Sequence, residues 1–137
     1  MAEIDNKELV RSWFEKGCVQ HDLDAASELL SEDYVMHNPM APDFPGGREA
    51  FKKMCGGNRE AIRDSACTID DQFAEGDRVA TRWTVSGCQT KDLPGIPSKG
   101  QCFNMSGITI SRVADGKIVE EWVSMDALGM RQQLGSP

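Results

Sequence analysis

The hydrophobic spacing of this chain changes period once. Up to about Arg63 the apolar residues recur three and four positions apart, and from Ala66 to Met125 they alternate with polar ones. A chain that is helical first and extended second does not repeat the strand–helix–strand unit of a parallel sheet. It builds an α+β fold, with helices gathered on one face of an antiparallel sheet. The length of 137 residues suits one domain, 1–137, with one substantial core. No internal repeat, low-complexity tract or linker interrupts it.

Asp5 and Glu8 form a capping-box-like start, and Leu9, Val10, Trp13 and Phe14 follow at helical spacing. This predicts a first helix ending near Gly17 or Val19. A second, shorter helix starts at Asp22 or Asp24 and turns Leu23, Ala26, Leu29 and Leu30 inward. Tyr34 to Pro39 reads as a short extended piece, because Pro39 biases Asn38 away from helix. Prolines and glycines make Met40 to Gly47 a loop. A third helix is expected from Arg48 toward Arg63, with Gly56-Gly57 as the point where it can end early.

The alternating half predicts strands from Ala66 to Glu75, Arg78 to Gln89, Gln101 to Val113 and Lys117 to Met125, then a closing helix from Ala127 to Leu134. In the second of these strands Val79, Trp83 and Val85 share one face, with Ala80, Arg82 and Thr84 on the other. Lys91 to Gly100 is a longer loop. A long curved sheet with helices on one face leaves a cone-shaped interior, a common setting for a small-molecule site. The two Pro/Gly-rich loops, Met40–Gly47 and Lys91–Gly100, are expected at its mouth.

Charge and composition exclude several functions. A formal net charge of −7 lacks the basic footprint of nucleic-acid binding and disfavours docking on anionic membranes. No apolar run approaches the length of a membrane span, and the start has no secretory pattern. Five cysteines, an odd number without close pairs, are expected as reduced, small buried hydrophobes in a cytoplasmic protein. With only His21 and His37, and no Cys or His pair at ligand spacing, no metal site is expected. Phosphate-binding and dinucleotide glycine motifs are also missing.

Several stretches, in this order, resemble the SnoaL-like polyketide cyclases. They are Tyr34-Val35 with His37 and Pro39, Gly76-Asp77-Arg78-Val79-Ala80 before Arg82-Trp83, Leu93 to Pro97, and Ser106-Gly107-Ile108 with Ile110 and Arg112. The last is Ile118-Val119-Glu120 with Trp122, Asp126 and Gln132 to Gly135. The resemblance implies the nuclear-transport-factor-2-like fold, a curved sheet wrapped around three N-terminal helices and paired as a homodimer through the sheet. It also implies cofactor-free ring closure of a hydrophobic carbonyl compound by intramolecular aldol condensation, with Asp126 as acid–base residue. At Glu121 the chain departs from relatives that carry histidine between glutamate and tryptophan.

Aldol closure and double-bond isomerisation share the removal of a proton beside a carbonyl, which needs a base of raised pKa and a donor for the enolate oxygen. Asp126, on the same strand face as Trp122 and Ser124, is the candidate base, and it can equally cap the last helix. His37 is the candidate donor or proton shuttle, or else a core histidine. Arg82 either holds a substrate oxygen or lies on the solvent or dimer side. Trp122, Tyr34 and Trp13 are candidates to line the substrate site, and of Glu120 and Glu121 one faces inward. Two other functions fit the same fold: a non-catalytic small-molecule binder, and an epoxide hydrolase or dehydratase. Hydrolase chemistry would want an acid two residues after Arg82, where Thr84 stands.

Overall fold

The computed structural model describes residues 3–135. Four helices and five strands follow one another as α1 Glu3–Phe14, α2 Leu23–Ser27, β1 Leu30–His37, α3 Arg48–Glu60, β2 Ile62–Glu75, β3 Arg78–Gln89, β4 Cys102–Ala114, β5 Lys117–Met125 and α4 Ala127–Gln133. A π-helical turn, Glu15–Val19, extends α1 to the end predicted for it. Asp22 caps α2 by accepting a hydrogen bond from the Ala25 amide at 3.0 Å, which satisfies one of the free N–H groups of the first turn. The Gly56-Gly57 pair does not end α3, which runs on to Glu60.

The sheet order is β1-β5-β4-β3-β2. The long strands pair antiparallel, while β1 lies parallel to β5 and forms one edge. β2 starts at Ile62, ahead of the alternating pattern at Ala66, because its first residues pair with the far end of β3, Ile62 with Gln89. At the hairpin between β4 and β5, Asp115 and Gly116 both adopt positive φ, the backbone of a tight two-residue turn.

Helices α1 and α3 pack on the inner face of this curved sheet. The core between them is built from Val10 and Phe14 of α1, Leu30, Tyr34 and Met36 of β1, Phe51 of α3, and Val79, Trp83, Val113 and Ile118 of the sheet. A second, smaller core of Ile96, Met130 and Leu134 ties the 90–101 loop to α4. The Gln89 side chain holds that loop by donating to the Ile96 carbonyl at 2.7 Å.

Two cysteines depart from the thiol expectation. Cys88 and Cys102 face each other across β3 and β4 and form a disulfide, while Cys18, Cys55 and Cys67 remain free and half-buried. Register brought the pair together across a loop, which spacing along the chain does not reveal.

Candidate active site

A register shift in β5 decides which side chains enter the interior. Ile118 pairs with Val113 and Glu120 with Arg112, so Val119 is an extra residue between two pairs. Such a bulge moves every later side chain to the opposite face. Ile118 is inward and fully buried; beyond the bulge the buried residue is Glu121, with Val123 and Met125 packed on the core.

Trp122 therefore stands on the outer face of the sheet. Its ring stacks on His37 at 5.4 Å and 17°, and the Arg78 guanidinium sits 4.9 Å above it. His37 Nε2 lies 2.7 Å from Glu120 Oε2, and Arg112 donates to the other Glu120 oxygen at 3.1 Å. The His37 contact, followed by Arg112, holds the Glu120 carboxyl below its ordinary pKa. Arg82 is also on the outer side, donating to Asp71 at 2.7 Å with Asp70 at 3.8 Å. Asp126 is exposed and caps α4, accepting from the Gly129 amide at 2.9 Å. Thus Asp126, His37 and Arg82 do not meet around one enclosed space.

The interior holds a different carboxylate. Glu121 is 0% exposed, with Oε1 accepting from the Tyr34 hydroxyl at 2.6 Å and Oε2 from the Ser111 hydroxyl at 2.5 Å. Burial disfavours its charged form and pushes its pKa up from the ordinary 4.5 to about 7, against the opposing pull of the two hydroxyls. Tyr34 is likewise fully buried, and burial followed by the neighbouring Glu121 carboxyl raises its hydroxyl pKa far above the usual range. Tyr34 is thus a proton-bearing donor throughout the physiological range.

The rings of Phe44 and Phe51 meet Tyr34 edge-on at 6.1 and 5.7 Å, and Trp13 lies 5.8 Å from Phe51. Of the sequence candidates, then, the interior contains Tyr34 and Trp13. Ser111 and Glu121, not named as candidates from the sequence, are buried beside Tyr34, and one of the paired glutamates was expected to face inward. An open groove of about 500 Å³ lies at the start of α3, lined by Glu32 and Gly46 to Ala50, so the end of the first loop borders it. The second loop is instead packed on α4 through Ile96. Among the described residues no cluster of three or more His, Cys, Asp or Glu is placed to hold a metal ion. No helix among the described residues is long and apolar enough to cross a membrane.

A curved sheet packed against N-terminal helices, with Glu121 the one buried carboxylate among the described residues, defines a small α+β protein. The SnoaL-like polyketide cyclase family model matches residues 8–134, and the chain belongs to that family. It is 30% identical over 111 residues to the aklanonic acid methyl ester cyclase DnrD of Streptomyces peucetius, covering 80% of this chain and 74% of that one. Among solved structures, TsrD from Streptomyces laurentii superposes with a TM-score of 0.88 at 28% identity, over 100% of this chain and 99% of the other. Wild-type IdmH from Streptomyces antibioticus gives a TM-score of 0.81 at 30% identity, over 95% and 98%.

Proposed function

We propose that this chain is a cofactor-independent cyclase that closes a ring in a polyketide-derived aromatic ketone by intramolecular aldol condensation. The substrate class is that of aklanonic acid methyl ester, the compound named for the cyclase relative. The chemistry balances without a further reactant. A base takes the proton beside one carbonyl, the resulting enolate carbon bonds to a second carbonyl carbon, and the proton returns to the new alkoxide.

The observation that carries the mechanism is Glu121, a fully buried carboxylate with its pKa near 7 beside apolar side chains and two hydroxyls. A base poised near neutrality accepts and returns a proton with little penalty. Glu121 stands where relatives carry histidine, so it supplies a titrating group at the same place in the sequence. One of its two hydroxyl donors gives way to the substrate, and Tyr34 is suited to donate to the enolate oxygen. Asp126 as the acid–base residue is the second version of the mechanism, supported by the family pattern and by its place after β5. His37 and Arg82 belong to that version as donors. Self-association through the outer sheet face forms part of the same proposal.

The test compares Glu121→Gln and Asp126→Asn in a ring-closure assay on aklanonic acid methyl ester. Glu121→Gln is expected to lower kcat about a hundredfold or more, with Asp126→Asn retaining most of it. The reverse pattern moves the base to the α4 cap. If the wild-type protein binds the ester without converting it, the chain is a binder of this fold.

A further inference from the structure

The three free cysteines, Cys18, Cys55 and Cys67, are half-buried and pack at the edge of the main core. They come from three elements: the π-helical turn after α1, helix α3 and strand β2. Two of them touch. The π-helical turn packs on β2, and there the Cys18 and Cys67 side chains are hydrogen-bonded to each other. Arg59 of α3 fixes the turn by donating through Nη2 to the Gly17 carbonyl, next to Cys18. β2 is the last strand of the sheet, so no further strand covers Cys67 from that side. A π-helical turn is uncommon, and proteins often place one where the chain has a function.

The two sulfurs are not equivalent. The hydrogen bond to Cys67, and then burial, hold the Cys18 thiol well above its ordinary pKa, so Cys18 keeps its proton and donates it. The same bond lowers the pKa of Cys67, against the opposing effect of burial. Cys55 is the contrast: burial pushes its thiol up to about 12 despite the Arg59 charge. Oxidants attack thiolates, and a thiol beside the attacked sulfur can resolve the product.

We infer that Cys18 and Cys67 form a modification site, a dithiol that hydrogen peroxide closes into a second disulfide joining the π-helical turn to β2. The Cys67 thiolate attacks one peroxide oxygen, the O–O bond breaks, and hydroxide leaves Cys67 as a sulfenic acid. The Cys18 sulfur then attacks the Cys67 sulfur, the S–S bond forms, and water leaves with the Cys18 proton. Two thiols and one peroxide give one disulfide and two waters. None of this depends on the ring-closing reaction or on which carboxylate serves it.

The test treats the full chain with hydrogen peroxide, removes the excess with catalase, blocks remaining thiols with iodoacetamide and maps peptides without reduction by mass spectrometry. A Cys18–Cys67 cross-linked peptide within one chain is expected, with Cys55 recovered alkylated and Cys67 consumed about tenfold or more faster than Cys55. Cys88→Ser/Cys102→Ser should give the same cross-link, which separates direct oxidation from exchange with the existing disulfide. In Cys18→Ser, with circular dichroism unchanged, Cys67 should stop at the sulfenic acid, which dimedone traps. Equal consumption of all three thiols, a cross-link to Cys55 or between two chains, sulfinic acid at Cys67 in wild type without a cross-link, or thiols that survive peroxide overturns the inference. So does a cross-link that disappears with the Cys88–Cys102 pair.

Discussion

At the scale of single residues, Glu121 is the position where sequence and environment disagree most. A carboxylate is among the groups least often fully buried, because transfer from water disfavours its charge. Here two hydroxyls satisfy its oxygens and the proton carries the rest, since its pKa rises to about 7. The sign of the linkage follows. Below pH 4.5 the side chain is protonated in folded and unfolded protein alike, so its contribution is fully present. Between pH 4.5 and about 7 the unfolded chain releases the proton first, and stability falls as pH rises through that window. A shift of this size is worth about 3 kcal/mol. Thermal melts across this range should therefore show a decline in wild type that Glu121→Gln flattens; parallel curves would mean the carboxyl is not held protonated. The sequence announced an inward glutamate but not which one, because the choice depends on the bulge at Val119 rather than on either residue's own chemistry.

At the scale of elements, most boundaries were legible. β3 and β5 span the residues their alternation predicts, and the caps at Asp22 and Asp126 do what their residue type favours. Faces were harder. Strict alternation puts Trp122 on the side of Ile118, as if the strand were regular. It does not say that an extra residue at Val119 sends that side outward while Ile118, before it, points inward. Bulges leave no period of their own in a single sequence. The Cys88–Cys102 bridge is a second element-scale fact of this kind, fixed by the β3–β4 register. It closes the 90–101 loop, and constraining a loop of this length in the unfolded chain stabilises by about 3 kcal/mol. Reductant is thus expected to lower the melting temperature of wild type and to leave Cys88→Ser/Cys102→Ser unaffected. A wild-type melt indifferent to reductant would contradict this.

For the whole molecule, the outer face of the sheet is the open question that composition alone could not pose. Phe73 is 68% exposed, Ile108 47% and Ile110 37%, and Val35 on the edge strand 41%. Phe73 pairs with Ala80, Ala80 with Ile110 and Ile110 with Trp122, so these residues form one band across four strands. An exposed apolar band on a sheet face is a surface fit for association, which supports the proposed homodimer. Ile110→Arg is expected to shift the protein to monomer in size-exclusion chromatography with light scattering, without changing its circular dichroism. A wild-type protein already monomeric at micromolar concentration would defeat the proposal.

By itself the sequence determined the α+β class, the order of the elements and the family, because periodicity, turn residues and family motifs are written locally along the chain. Only the tertiary structure decided that Glu121, Tyr34 and Ser111 meet inside while Trp122, His37 and Arg82 lie outside. The reason is physical: a sheet face is chosen by register and bulge, which are set by pairing with distant strands, and a carboxylate's proton affinity is set by what those strands bring around it.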